Sequence, residues 1–213
     1  MKITDMEFKY YDVLSSLVVG YVLLVIGMYA FQIKYNNDYT VAYLAMAFLC
    51  GYFINAVSGL LEPLYYITIG GKPSNRLLND GKGNHGWFYH LFIPRNTGIW
   101  RVHFYETERA RSLLSKEIES GSISEDRLFN IAKLEVSGNQ DSRVPDFSAN
   151  YALARSIFTM TIISTGLIIS SYPNNWQSYI SIIVLLVSWN RYKERAYYYA
   201  REVLNEYLKK HKE

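Results

Sequence analysis

The sequence predicts an all-α integral membrane protein. Its parts are four transmembrane helices, a cytoplasmic, mainly helical insertion between the second and third, and a long cytoplasmic C-terminal helix. Three observations predict this. Val41 to Leu61 reads VAYLAMAFLCGYFINAVSGLL, without a charge before Glu62-Pro63. At about 1.5 Å per residue such a run covers the roughly 30 Å of a bilayer's hydrocarbon core, and a helix satisfies its own backbone polar groups there. Other apolar runs fall at Val13 to Ile33 and Ser156 to Ser171, with a shorter one from Trp176 to Trp189. The Lys and Arg are gathered between and after these runs. The division that follows is 1–62 for an N-terminal segment and two spans, 63–148 for the insertion, 149–190 for two more spans and 191–213 for the tail helix.

The chain has 213 residues and a formal charge of +3. A mean hydropathy near zero averages very apolar runs with a charged middle and tail. Cys50 is the single cysteine, which excludes an intrachain disulfide and a multi-cysteine metal site. Abundant Tyr and Trp suit a protein with two membrane–water interfaces.

Met1 to Asp12 is polar and lacks the basic start of a signal peptide. The run after it is too long for a cleaved leader and is expected to be an uncleaved first span. Ser16-x-x-x-Gly20 in that run is a small-residue pair of the kind that lets helix backbones approach closely. Asn36-Asn37-Asp38 marks a polar turn before the second span. On that span Gly51, Asn55, Ser58 and Glu62 are spaced four, three and four apart, which is one helical face. Such a stripe faces protein or water rather than lipid. Amide bonding of Asn55 to a neighbouring helix is the ordinary reading; a pore lining is the sharper one.

In the insertion, Tyr65 to Ile69 is expected as a short strand before Gly70-Gly71. Gly81, Gly83 and Gly86 mark a loop, and Trp87 to Ile93 reads as either a buried strand or an interfacial element. Ile99 to Glu119 reads as an amphipathic helix using Trp100, Phe104, Leu113, Leu114 and Ile118. Ser122-x-x-Glu125 is a capping box for a helix through about Val136. Ser148 or Asn150 is the expected cap of the third span. Tyr172-Pro173-Asn174-Asn175 is a tight turn. Beyond Trp189 the fourth helix is expected to continue into water, with Tyr192, Ala196, Tyr199, Val203 and Tyr207 forming an apolar stripe. That stripe requires a partner, either the insertion or another subunit.

About a dozen Lys and Arg lie between Glu62 and Arg155, and seven follow Asn190. The turns around Asn37 and Asn174 hold only Lys34 at an edge. The positive-inside rule places the insertion, the tail and the N-terminus in the cytoplasm of a multi-pass inner-membrane protein.

The chemistry is sparse. Gly81-Lys82-Gly83-Asn84-His85-Gly86 lacks phosphate-loop spacing. His85, His90 and His103 are too scattered for a metal site, and His103-x-x-Glu106 is a common helical coincidence. Acids balance the bases of the insertion, so no nucleic acid is expected as a partner. No nucleophile with a base is found, and neither enzyme activity, cofactor nor metal is expected. Glu62, Arg155, Arg191 and Arg195 all fall at cytoplasmic helix ends. A carboxylate at that depth is costly unless paired. The plain reading is an ion-pair ring that keeps helix ends in register; the alternative is a latch between insertion and spans.

Asn150-x4-Arg155-Ser156, together with Trp189-Asn190-Arg191-Tyr192-x2-Arg195-x3-Tyr199-Ala200-Arg201-Glu202-Val203, resembles a loose group of uncharacterised four-span prokaryotic membrane proteins. The resemblance covers mainly the last third of the chain and implies the four-span architecture, with no activity attached. Small membrane proteins with cytoplasmic sensing parts also occur as effectors in bacterial antiphage systems, an analogy of architecture alone. Two functions are expected on these grounds. The first is a homo-oligomeric pore-forming or membrane-perturbing effector controlled by its cytoplasmic domain, for which the stripe Gly51, Asn55, Ser58 is the candidate lining. The second is a membrane-anchored scaffold recruiting a cytoplasmic protein. In either case the lipid bilayer is the first partner and a homo-oligomer the expected state.

Overall fold

The structure is a computed structural model that describes residues 3–79, 102, 104–117, 124–137 and 142–212. The described residues form seven α-helices and a short 3-10 turn, with no strand. The helices are α1 (Ile3–Ala30), α2 (Thr40–Thr68), α3 (Pro73–Leu78), α4 (Thr107–Lys116), α5 (Glu125–Ser137), α6 (Val144–Ser171) and α7 (Trp176–Lys210). Three stretches are long and apolar enough to cross a membrane: Val13–Ala30 of α1, the run Asn37–Leu78 that contains α2, and Val144–Ser171 of α6. The chain divides into two compact units. One is Met1–Glu62 with Ala152–Tyr192, and the other is Pro63–Tyr151 with Lys193–Glu213.

In the first unit α1 ends at Ala30, short of the expected Ile33. The Ile33 N–H reaches back to the Met28 carbonyl at 2.8 Å, with Gln32 in the left-handed region at φ 56°. This wraps the last turn's orphan carbonyls before the polar connection begins. There the Asn36 side chain accepts from the Asp38 N–H at 3.0 Å and the Thr40 hydroxyl donates to the Asn37 carbonyl at 2.7 Å. Returning, α2 lies against α1 at a contact with no room for side chains. A Cβ placed on Gly51 would stand 2.6 Å from the Ser16 carbonyl carbon, and one on Gly20 would stand 2.8 Å from that of Ala47. The small pair Ser16/Gly20 therefore meets Ala47/Gly51 in antiparallel register within a single chain. Val19, Ile54 and Met160 form the local apolar core.

The rest of this unit is inverted relative to a water-soluble protein. Thr159, Thr161, Ser164 and Thr165 of α6 and Ser178, Ser181 and Ser188 of α7 are buried. The Thr161 and Ser188 hydroxyls are 2.7 Å apart, and Thr165 donates to the Ser181 carbonyl at 3.1 Å. Meanwhile Phe53, Leu60, Ile183 and Val187 are exposed. Hydroxyls bonded inside and branched aliphatics outside are what a hydrocarbon solvent selects. The turn expected at Tyr172–Asn175 is present, with Asn174 at φ 62° and the Asn175 N–H bonded to the Tyr172 carbonyl at 3.3 Å.

The second unit has an ordinary aqueous core. Leu77 and Leu78 of α3, Ala110 and Leu114 of α4, Leu128, Ala132 and Val136 of α5, Val144, and Ala200, Val203, Leu204, Tyr207 and Leu208 of α7 pack together. The spacings of three and four along each helix put these residues on one face. The C-terminal part of the tail stripe, Tyr199, Val203 and Tyr207, is thus covered by the insertion of its own chain, while Tyr192 stacks on Phe158 of α6.

Four local elements differ from the sequence expectation. Tyr65 to Ile69 is not a strand, because α2 runs through Pro63 to Thr68. Tyr65 and Ile69 are buried while Leu64 and Ile67 are exposed, a period of four rather than two. Pro63 gives up one hydrogen bond to the carbonyl four residues back, where Gly59 offers no side chain to crowd its ring. The helix stops only where Gly70 and Gly71 adopt φ 82° and 111° and the Gly71 N–H bonds the Tyr66 carbonyl at 2.7 Å. The helix expected from Ile99 starts at Thr107, whose hydroxyl donates to the carbonyls of Leu77 at 3.0 Å and Phe104 at 3.2 Å. Helix α5 is capped by Ser124, whose hydroxyl accepts from the Arg127 N–H at 3.3 Å, two residues after the expected Ser122. Helix α6 starts at Val144, with the Ser142 hydroxyl accepting from the Val144 N–H at 3.1 Å. Pro145 then sits in the first turn, where its missing donor costs nothing. Ser148 and Asn150 are therefore interior helical residues. The loop glycines 81, 83 and 86, the Trp87 to Ile93 run, Ser122, and His85, His90 and His103 lie outside the described residues.

Candidate functional site

The polar stripe of α2 is divided between two neighbours. Gly51 belongs to the α1 contact. Further along, Asn55, Ser58 and Glu62 meet Arg155 and Ser156 of α6. The Ser156 hydroxyl donates to the Asn55 side-chain oxygen at 3.2 Å, and the Ser58 hydroxyl donates to the Asn55 backbone carbonyl at 2.7 Å. Arg155 Nε donates to the Ser58 hydroxyl at 3.2 Å, and its terminal nitrogen forms an ion pair with Glu62. Ser58 is fully buried, and the Arg155 and Glu62 side chains keep only 16% and 24% of their exposure. An ion pair this enclosed needs its remaining donors bonded to offset desolvation, and Ser58 supplies one such bond. Gly59 leaves space beside the guanidinium, with a Cβ there falling 3.7 Å from it. The network fastens α2 to α6. It contains acceptors, donors and a matched charge pair.

Of the expected charge cluster, the structure brings Glu62 and Arg155 together. Arg191 is exposed on α7 in the first unit, while Arg195 belongs to the second unit. Asn55 is exposed on its other side.

A second cluster joins residues far apart in sequence. Glu117 follows α4, Glu135 lies on α5, and His211 follows α7. His211 Nε2 is 3.0 Å from Glu135 Oε1 and 3.8 Å from Glu117 Oε1. Lys210 Nζ is 2.9 Å from Glu135 Oε1. Burial works to raise the Glu135 carboxyl, but the hydrogen bonds from Lys210 and His211 outweigh it and hold the group below the usual range. The Tyr207 hydroxyl donates to Glu117, and its ring lies 4.5 Å from the His211 ring. Burial first, and then the Glu117 carboxylate, keep that phenol protonated far above its ordinary range, so it stays a donor. Separations of 18 and 76 positions carry no motif, so no local spacing in the sequence marks this cluster. Its only trace was the tail stripe, which brings Tyr207, and with it His211, toward the insertion.

The described residues are all-helical, and three of their helices are long and apolar enough to cross a membrane, which points to a membrane protein. No protein family, curated protein or solved structure matches the chain. Function therefore rests on the geometry of the chain itself.

Proposed function

We propose that this protein is a four-span inner-membrane anchor that carries a cytoplasmic helical scaffold for a protein partner. The observation that carries the reading is the core of the second unit, in which α3, α4, α5 and Val144 pack with Ala200, Val203, Leu204, Tyr207 and Leu208 of α7. Insertion and tail then share one side of the membrane. If α6 crosses, α7 must cross back, and its exposed Ile180, Ile183 and Val187 over a buried hydroxyl seam suit that return. The charge distribution supports the cytoplasmic side. The buried hydroxyls of the membrane part bond within that part, which suits an anchor. The charged surface lies on the second unit, where α5 exposes Arg127, Asn130, Lys133 and Leu134. Substituting Arg127 and Lys133 together by Glu is expected to lose a partner captured from solubilised membranes while insertion and helicity are kept. Capture unchanged by the double substitution would refute that surface.

The pore-forming effector is the second reading, favoured by one observation: the exposed side of Asn55 leaves an amide facing out of a spanning helix. Mass measurement of the protein in native nanodiscs separates the two. A discrete assembly of four or more copies, with an ion leak abolished by Asn55→Leu, supports the pore. A monomer or dimer supports the scaffold.

A further inference from the structure

We propose that Glu117, Glu135 and His211 form a binding site for a divalent transition-metal cation. Their ligand atoms all lie within 4.8 Å of one another. Donors around a zinc ion at about 2.0–2.2 Å stand roughly 3.0–3.6 Å apart, so the cluster needs to close by about 1–2 Å at most. The set is one imidazole nitrogen and two carboxylate oxygens. That mixture suits Zn2+ and related ions, whereas Mg2+ and Ca2+ prefer oxygen alone.

The outer partners of a metal site are also in place. The fully buried Tyr207 donates its hydroxyl to Glu117 and sets its ring against the imidazole, so one side chain orients two ligands. Carboxylate and histidine ligands are commonly fixed by such outer bonds. Each ligand comes from a different element, and an ion here ties the ends of α4, α5 and α7 to one another. Lys210 occupies the cation position beside Glu135 at 2.9 Å. Its side chain is 54% exposed on a flexible stem, so it swings into solvent when an ion arrives.

The test uses the full chain in nanodiscs, stripped with chelator and titrated with Zn2+ by calorimetry, with Co2+ absorption reporting the coordination. One ion per chain and a raised unfolding temperature are expected. Affinity should fall at least about tenfold in His211→Ala and in Glu135→Gln, and hold or rise in Lys210→Ala. Glu135→Gln keeps the shape of the side chain and His211→Ala removes a ring only at the edge of the core, beside Tyr207, and circular dichroism checks that each variant is folded. Absence of binding to the wild type at about 1 mM Zn2+ would overturn the proposal. So would binding unchanged in both ligand variants, which would assign the ion to other residues such as His85, His90 or His103. Mg2+ binding as tightly as Zn2+ would overturn the choice of metal class.

Discussion

Replacing Gly51 by Ala adds a single methyl group where the two backbones of the α1–α2 contact already touch. The added Cβ would stand 2.6 Å from the Ser16 carbonyl carbon and 3.2 Å from the Gly20 nitrogen. Carbon pairs are most favourable at about 3.5–4.0 Å, so the helices must part by about 1 Å. Neither neighbour can turn away, because both are main-chain atoms of long helices. Overpacking of this kind costs about 1–3 kcal/mol, and a backbone-on-backbone clash belongs at the upper end. Ala regains about 0.5–1 kcal/mol of helix propensity, leaving a net loss of about 2 kcal/mol. The control is Gly27→Ala in α1, where an added Cβ meets nothing within 4 Å. Reversible unfolding in mixed detergent micelles reads both. Gly51→Ala should unfold at clearly lower denaturing-detergent fraction than wild type, and Gly27→Ala at the same or higher fraction. Equal stability of the two variants would refute the close contact and with it the antiparallel seam.

Four other outcomes follow from contacts within the two units. Arg155→Met leaves the Glu62 carboxylate enclosed without its partner and should cost about 2–3 kcal/mol in the same unfolding assay. Adding Glu62→Gln to it should recover part of that loss, and a double variant worse than the single would argue against the pair. In α5, Leu128→Ala removes a fully buried side chain and should cost about 3 kcal/mol. Leu134→Ala, at 75% exposure, should stay within about 0.5 kcal/mol, and thermal melts compare them. The hydrogen bond from Lys72 lowers Asp126, and Glu125 is lowered by its own backbone N–H and then by Asn79. Glu135 is held low as well. Folded pKa values below the unfolded ones give stability that is complete above the ordinary carboxylate range and lost as pH falls through the folded values. The second unit should therefore weaken between about pH 5 and 3. A melting temperature that rises on acidification would contradict this. Lys72 and Asp126 are about half exposed, so Asp126→Asn should change stability by no more than about 1 kcal/mol.

Periodicity over long apolar runs carried the helical fold. Val13 and Val41 each open a run whose length alone points to a spanning helix, while the shorter run from Ser156 reaches that length only as part of α6 from Val144. The stripe from Tyr192 to Tyr207 announced a buried helix face, but not which of its two possible partners would cover it. Boundaries failed where the chain had two plausible punctuation marks. Pro63 looked like a stop and is passed over, because the Gly70-Gly71 pair ends the helix instead. Ser122 fitted a capping box, yet Ser124 does the capping. The contacts of the site were legible only in part. Glu62 and Arg155 were placed at the same depth by their positions at helix ends, so their pairing follows from topology. Gly51 looked like part of a polar stripe, yet its lack of a side chain is what α1 uses. The Glu117, Glu135 and His211 cluster depends on three helix ends converging, which no local spacing encodes.

The central claim is that α7 returns across the membrane, so that insertion and tail share a side. Single cysteines are introduced into a Cys50→Ser background at Asn175 in the α6–α7 turn, at Lys133 on α5 and at Lys209 on α7. Each is labelled in spheroplasts with a membrane-impermeant maleimide before and after permeabilisation. The account predicts that Asn175→Cys is labelled at once and that Lys133→Cys and Lys209→Cys are labelled only after permeabilisation. Immediate labelling of Lys209→Cys with Lys133→Cys still protected would put tail and insertion on opposite sides and contradict the four-span account.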